Sequence, residues 1–149
     1  GKYLIISASE STSGNELYFK DLSNINNPIK PIILGFEYDT SVLDHKDGNL
    51  LLVTNLNAPN KRIVKVSINN PSSENWLDLI PETSNVLSPS NASGYIFTNY
   101  MVDAVSKVMQ YDYDGKLVRE IELPGVGTAG GFGGKIDAET IYYSFSNKR

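Results

Sequence analysis

The sequence holds no cysteine and a single histidine. Without thiols, disulfide frameworks, thiol nucleophiles and Cys-ligated zinc are excluded, while cytoplasm and periplasm both stay open. Positive charge is also scarce: 13 Lys and Arg stand against 17 Asp and Glu, a formal net charge of -4. Lys30, Lys46, Lys61, Arg62 and Lys65 are scattered among acids rather than gathered in a run. Nothing here could release counterions from a phosphate backbone, so neither a nucleic acid nor an anionic membrane is expected as a partner. No apolar run approaches the roughly 20 residues that span a bilayer. There is no signal-peptide pattern, and the chain opens at "GKYLIIS", already inside an apolar run. It closes just after another, "TIYYSFSNKR". Both ends are therefore expected to be cuts through a fold, making the sequence a fragment of something longer.

What is present reads as strands. At 149 residues and 40% apolar, the chain suffices for one domain with its own core. No window shows a helical apolar period. "VMQYDY" and "IVKVSI" alternate, whereas "YLIIS" and "LLLV" are continuous, as strands buried on both faces would be. Turn chemistry marks Asp47-Gly48-Asn49, Asn91 to Gly94, Asp114-Gly115 and Asn69-Asn70-Pro71. The runs also repeat. "GKYLIIS" at 1, "GNLLLVT" at 48, "GYIFTNY" at 94 and "ETIYYSF" at 139 form one row. "NELYFKDL" at 15, "KRIVKVSI" at 61 and "SKVMQYDY" at 106 form a second. "IKPIILGF" at 29, "ENWLDLIP" at 74 and "KLVREIEL" at 116 form a third, and "YDTSVLDH" at 38, "TSNVLSPS" at 83 and "GTAGGFGG" at 127 a fourth. Four strands in a period of about 45 residues is the size of one β-propeller blade. The expected architecture is all-β: a partial propeller of four-stranded antiparallel blades. It holds strands 2-3-4, two full blades and strands 1-2, in segments of about 1–36, 37–82, 83–124 and 125–149.

Chemical motifs fail one by one on their context. "PGVGTAGGFGGK" carries Gly125, Gly127 and Gly130 in dinucleotide spacing, but the residues after Gly130 are among the poorest helix formers. As a phosphate loop it puts Ala129 where a glycine is needed and Ile136 where Ser or Thr is needed. In the repeat, Pro124 to Thr128 is instead a blade-to-blade connection and Ala129 to Gly134 an innermost strand, where glycine permits close approach. Asp112-Tyr113-Asp114-Gly115 resembles the opening of a calcium loop, yet Gln110 replaces an acidic ligand and no glutamate closes the loop. It reads better as a hairpin. Asn91-Ala92-Ser93 is a formal glycosylation sequon better read as a turn, and Asp137 with Glu139 reads as a solvated edge. No metal and no cofactor are expected. A Ser-His-Asp hydrolase needs a nucleophile beside an imidazole, but His45 sits at the end of an inner strand beside the Lys46-Asp47-Gly48 turn, where it reads as a polar turn residue, and no G-x-S-x-G elbow exists.

The stretch "TNLNAPNKRIVKVSINNPSSENWLDLIPE", Thr54 to Glu82, resembles the blade signature of the prolyl oligopeptidase family. "DYDGKLVREIELPGVGTAGGFGGKIDAETIYYSFSN" from Asp112 and "GKYLIISASESTSGNELYFKDL" from Gly1 continue the match in order. The resemblance implies about three blades of a seven-bladed propeller that covers an α/β-hydrolase peptidase domain, its partner in the parent chain. It further implies a serine endopeptidase that cleaves short peptides after proline, with the triad on the other domain, so that this chain holds no catalytic residue. Strand parity puts Ser9 to Gly14, Asn55 to Asn60, Met101 to Ser106 and Pro124 to Thr128 on one rim. By the resemblance, that rim faces the peptidase domain. The family's E-G-Cys or E-G-Thr loop, which lines the substrate pocket, corresponds to Glu10, Ser11 and Thr12, with Ser11 in place of the glycine and Ser9 where some members carry arginine. Glu10 and Thr12 are the expected pocket residues; Ser9, Ser11, Asn57, Asn60, Asp103, Gly125 and Gly127 are the expected interface rim. A free-standing propeller that binds proteins or glycans is the competing reading. Open strand edges at Tyr3 to Ser7 and Ile141 to Phe145 are expected to drive self-association of the fragment.

Overall fold

The computed structural model describes residues 2–124, 127–133 and 141–146. Among these residues, thirteen strands and one short 3-10 turn make up the regular structure. All strand pairings are antiparallel, in sheets of three, four, four and two strands. The chain divides into two compact units, Gly1–Pro81 and Glu82–Arg149.

In the first unit, β1 (Tyr3–Ala8), β2 (Glu16–Asp21) and β3 (Lys30–Ile33) form one sheet in sequence order. β4 (Thr40–Lys46), β5 (Asn49–Thr54), β6 (Arg62–Ser67) and β7 (Leu77–Ile80) form the next. Period-2 alternation turns Leu17 and Phe19 of β2 inward with Ile32 of β3, against Leu50, Leu52, Val64 and Val66. Burying each of these apolar side chains contributes about 1.5–3 kcal/mol. Trp76 closes this core; its indole N–H donates to the Pro71 carbonyl at 2.8 Å, so the ring is buried without orphaning its polar atom. The Asn69-Asn70-Pro71 turn leads into a 3-10 turn at Ser73–Asn75, an element the strand pattern does not announce. Every residue of β5 from Leu50 to Thr54 is buried, as the continuous apolar run predicts. β4 bulges between Val42 and Asp44.

In the second unit, β8 (Leu87–Ala92), β9 (Tyr95–Val102), β10 (Val105–Asp112) and β11 (Leu117–Ile121) form the four-stranded sheet. β12 (Thr128–Gly133) pairs with β13 (Tyr142–Ser146). Ala92, Phe97, Val108 and Ala129 form the core, flanked by Ile121, Leu123 and Phe145. The glycine-rich stretch is thus a strand, with Gly130 opposite Ser144 and Gly133 opposite Tyr142 across a register shift. Gly134, Lys135, Asp137 and Glu139 lie outside the described residues.

The hairpins follow their turn residues. Asp47-Gly48 and Ser93-Gly94 both have positive φ at each central position, the two-residue type that matches strand twist. Asn91 and Ala92 therefore belong to β8 rather than to the turn expected from Asn91 onward. The connection expected to run from Met101 to Ser106 is shorter still. β9 and β10 extend into it, leaving only Asp103-Ala104, at φ +50 and +63. At the second Asp-Gly site, Asp112 accepts from the Asp114 and Lys116 amides, so its carboxylate caps a hairpin. Among the described residues no three His, Cys, Asp or Glu side chains gather to hold a metal ion.

Two glycines separate turn strain from steric demand. Gly14 has φ +82, and a Cβ there would sit 1.8 Å from the Phe36 carbonyl oxygen. Gly48 has φ +77 but open space around it. Gly48→Ala is expected to cost about 1 kcal/mol for the left-handed conformation alone. Gly14→Ala should cost more than about twice that, read from urea midpoints of the two variants.

Candidate functional site

The loop between β1 and β2 carries Ser9, Glu10, Ser11 and Thr12, all exposed. Ser11 Oγ donates to the Ser13 carbonyl at 3.1 Å, a local bond that leaves the Glu10 carboxylate and the Thr12 hydroxyl facing outward. The loop is anchored at its C-terminal end. The Gly14 amide donates to Asp39 Oδ1 at 2.8 Å, and the Asn15 amide donates to the Tyr38 carbonyl at 2.8 Å. The Asn15 side chain then behaves as a strand partner. Its Oδ1 accepts from the Thr40 amide at 2.8 Å, while its Nδ2 donates to the Thr40 carbonyl at 2.8 Å and to Ser7 Oγ at 3.0 Å. One residue on, Glu16 accepts from the Gly35 amide and the Tyr18 hydroxyl, both at 2.7 Å. The start of β2 therefore fastens the whole 34–40 connection into the next sheet.

Asp39 passes this order to a second loop. Its amide donates to Asn55 Oδ1 at 2.8 Å, and Asn55 Nδ2 returns a bond to Asp39 Oδ2 at 3.3 Å. Asn55 opens the 55–61 loop, in which the Ala58 amide donates to the Asn55 carbonyl and the Lys61 amide to the Ala58 carbonyl. Asn57 is exposed at φ +55 on this loop, and Asn60 is half-buried. A cleft of about 260 Å³ opens beside the network, lined by Ser7, Asn15, Asp39, Thr40, Ser41, Val53 and Lys61. Glu10 and Thr12 are thus tied through Asp39 to the loop of Asn57 and Asn60. His45 stands at the other end of β4, five residues from Thr40 and roughly 16 Å along the strand. There it meets the Tyr3 ring edge-on, with centroids 5.1 Å apart.

The second unit repeats the device. Ser106, at the start of β10, donates its amide to the Gly127 carbonyl at 2.9 Å, and its Oγ accepts from the Ala129 amide at 2.9 Å. The Asn99 side chain donates to the Ala129 carbonyl. In the rows of the repeat, Asn15 and Ser106 occupy one column, as do Tyr38 with Gly127 and Thr40 with Ala129. Asp103 lies in the turn just before β10 and Gly127 is bonded to Ser106 at the start of that strand, whereas Gly125 lies outside the described residues. The latch residues Asn15, Asp39, Asn55 and Ser106 escaped motif reading because an amide or hydroxyl beside a turn looks generic. For Asn15 and Ser106 the shared column in the repeat is a signal that finds them; Asp39 and Asn55 have no such signal.

Two consequences are measurable. Ser106→Ala leaves the buried Ala129 amide without its acceptor and is expected to cost about 1–3 kcal/mol in denaturant melts. Glu16 is held below its ordinary pKa of 4.5, first by the Tyr18 hydroxyl and then by the Gly35 amide. A carboxylate with a lowered folded-state pKa stabilises above its ordinary range and loses that contribution as pH falls through the folded value. The melting-temperature difference between wild type and Glu16→Gln should therefore be largest near neutrality and shrink below about pH 4.5.

The family profile "Prolyl oligopeptidase, N-terminal beta-propeller domain" matches residues 1–148. Prolyl endopeptidases of Elizabethkingia miricola and Elizabethkingia meningoseptica are 52% and 51% identical over 146 residues, covering 98% of this chain and 21% of theirs. A solved prolyl endopeptidase, studied for the role of inter-domain dynamics in catalysis and specificity, matches with a TM-score of 0.87 at 30% identity. That match covers 98% of this chain and 21% of the other. Prolyl oligopeptidase B from Galerina marginata shares the fold, with a TM-score of 0.86 at 20% identity over 98% of this chain and 21% of its own. The chain spans about a fifth of the length of the curated relatives it matches. With its sheets of three, four, four and two strands in unbroken order, the chain belongs to the prolyl oligopeptidase family, as part of the N-terminal β-propeller domain.

Proposed function

We propose that this segment serves as lid and size filter in a serine endopeptidase that cleaves short peptides after proline. The observation that carries the reading is the 52% identity, over 98% of this chain, to a prolyl endopeptidase. In this reading the segments 1–36, 37–82, 83–124 and 125–149 are successive blades of one propeller. The α/β-hydrolase domain of the parent chain is the partner, and the Ser-Asp-His triad belongs to it. The rim carrying Ser9, Ser11, Asn57, Asn60, Asp103, Gly125 and Gly127 turns toward that domain. Glu10 and Thr12 border the substrate pocket, and their exposure on an anchored loop supports this role. Access past the propeller admits short proline-containing peptides and excludes folded proteins.

The full-length protein is expected to cleave a Gly-Pro chromogenic peptide, and the isolated chain to show no cleavage at all. Turnover by the purified chain would overturn the assignment of the triad to another domain. An absence of any hydrolase domain in the full-length protein would favour a free-standing binding propeller instead. β1 and β13 each lie at the edge of their described sheet. Unpaired edges template further pairing. The isolated fragment should therefore self-associate, and light scattering that reads a monomer across micromolar concentrations would contradict this.

A further inference from the structure

We infer that Asn15 and Asp39 are positioning residues for substrate selection, acting by holding the Glu10–Thr12 loop in fixed register with the 55–61 loop. The inference rests on the pocket role proposed above for Glu10 and Thr12, and it adds the residues that would make that pocket a defined shape.

The loop that bears Glu10 and Thr12 has little internal support. Residues 9–13 are exposed, and the side-chain bond within them, Ser11 Oγ to the Ser13 carbonyl, is local and solvent-facing. Free in solution, such a loop would sample many conformations, and each would present the carboxylate and the hydroxyl differently. Its fixed end is supplied from outside. Gly14 is buried, with its amide on Asp39 Oδ1, and a Cβ there would collide with the Phe36 carbonyl, so the chain leaves the loop along one path. Asn15 then docks on both the N–H and the C=O of Thr40, as a neighbouring strand would.

The same carboxylate looks both ways. Asp39 Oδ1 holds Gly14, and Asp39 Oδ2 accepts from Asn55, the first residue of the other loop. The Asp39 amide donates to Asn55 Oδ1, and the Asn55 amide donates to the Asp39 carbonyl at 3.2 Å. A displacement of either loop would break bonds to a shared residue, so the two loops are coupled through it. Small misplacements of a binding group propagate steeply into catalysis, up to about 100-fold for 1 Å. Two members of the repeat share part of the device. At the equivalent column Ser106 keeps the accepting oxygen, toward Ala129, while the donor to the Ala129 carbonyl comes from Asn99. The oxygen that accepts from the next strand's amide is therefore what this column supplies at both corners, and a serine at position 15 should preserve part of the function.

The test uses the full-length protein and steady-state kinetics on a short proline-containing chromogenic peptide, with folding followed by thermal melts. Asn15→Ala and Asp39→Ala are expected to raise KM about tenfold with kcat within about twofold, and Asn15→Ser to give an intermediate KM. Asp39 is itself exposed, so its variant reads out even where Asn15→Ala does not fold. Glu10→Ala and Thr12→Ala are measured alongside. If these two raise KM while the Asn15 and Asp39 variants change only the melting temperature, the positioning role is overturned and the pocket reading stands. Should Glu10→Ala and Thr12→Ala leave KM unchanged, the pocket reading fails first and takes the positioning role with it.

Discussion

In the first unit, the side-chain amide of Asn15 pairs with both backbone groups of Thr40 and so does the work of one more strand residue. The two sheets of that unit would otherwise be joined by the 34–40 connection and by apolar packing, which is non-directional and does not fix register on its own. The amide supplies the direction. It satisfies two backbone groups at the start of β4 that have no ladder partner on that side, where leaving them unpaired in a partly buried setting costs about 1–3 kcal/mol each. Gly14, Asp39 and Glu16 add bonds around it, so that the entry to β2 and the entry to β4 are one hydrogen-bonded corner.

The same corner recurs at Ser106 and Ala129 in a different sequence dress, which shows that the repeat conserves geometry rather than side chain. In the four-stranded sheet of β4 to β7, the column is occupied by Lys61, an ammonium with three donors and no acceptor. Lys61 sits at φ +73 and lines the cleft beside Asn15 and Asp39. The column thus holds an acceptor at both corners that lock the next strand, Asn15 and Ser106, and a lysine at position 61. Loops placed on such corners inherit a rigid base while their tips stay exposed, the usual arrangement for binding residues on a scaffold.

Much of this is legible in the sequence. The strand rows predicted the thirteen strands and the sheet sizes, because a period-2 pattern recurring every 45 or so residues constrains both strand type and order. Asp47-Gly48 announced its turn because few other residues tolerate φ above zero at both positions. The glycines of 130–133 read correctly as strand, since the following sequence could not open a helix. The misses are also physical. Asp103-Ala104 adopts a tight turn although alanine gives no turn signal, and β9 and β10 reach further than their apolar pattern suggests. The bulge at β4 and the 3-10 turn at Ser73–Asn75 have no counterpart in the period-2 pattern from which the strands are read. The latch was invisible for a related reason. A polar side chain that pairs with a strand 25 residues away carries no local signature, and only the alignment of Asn15 with Ser106 hints at it.

Amide hydrogen exchange at Thr40 and Ala129 tests this account most directly. If side-chain oxygens of Asn15 and Ser106 hold these amides in place, both should exchange only with global unfolding, as slowly as the amides of the buried residues Leu52 and Val108. Exchange of Thr40 and Ala129 at the rate of the exposed loop residues Glu10 to Thr12 would show that the corners open freely and would contradict it.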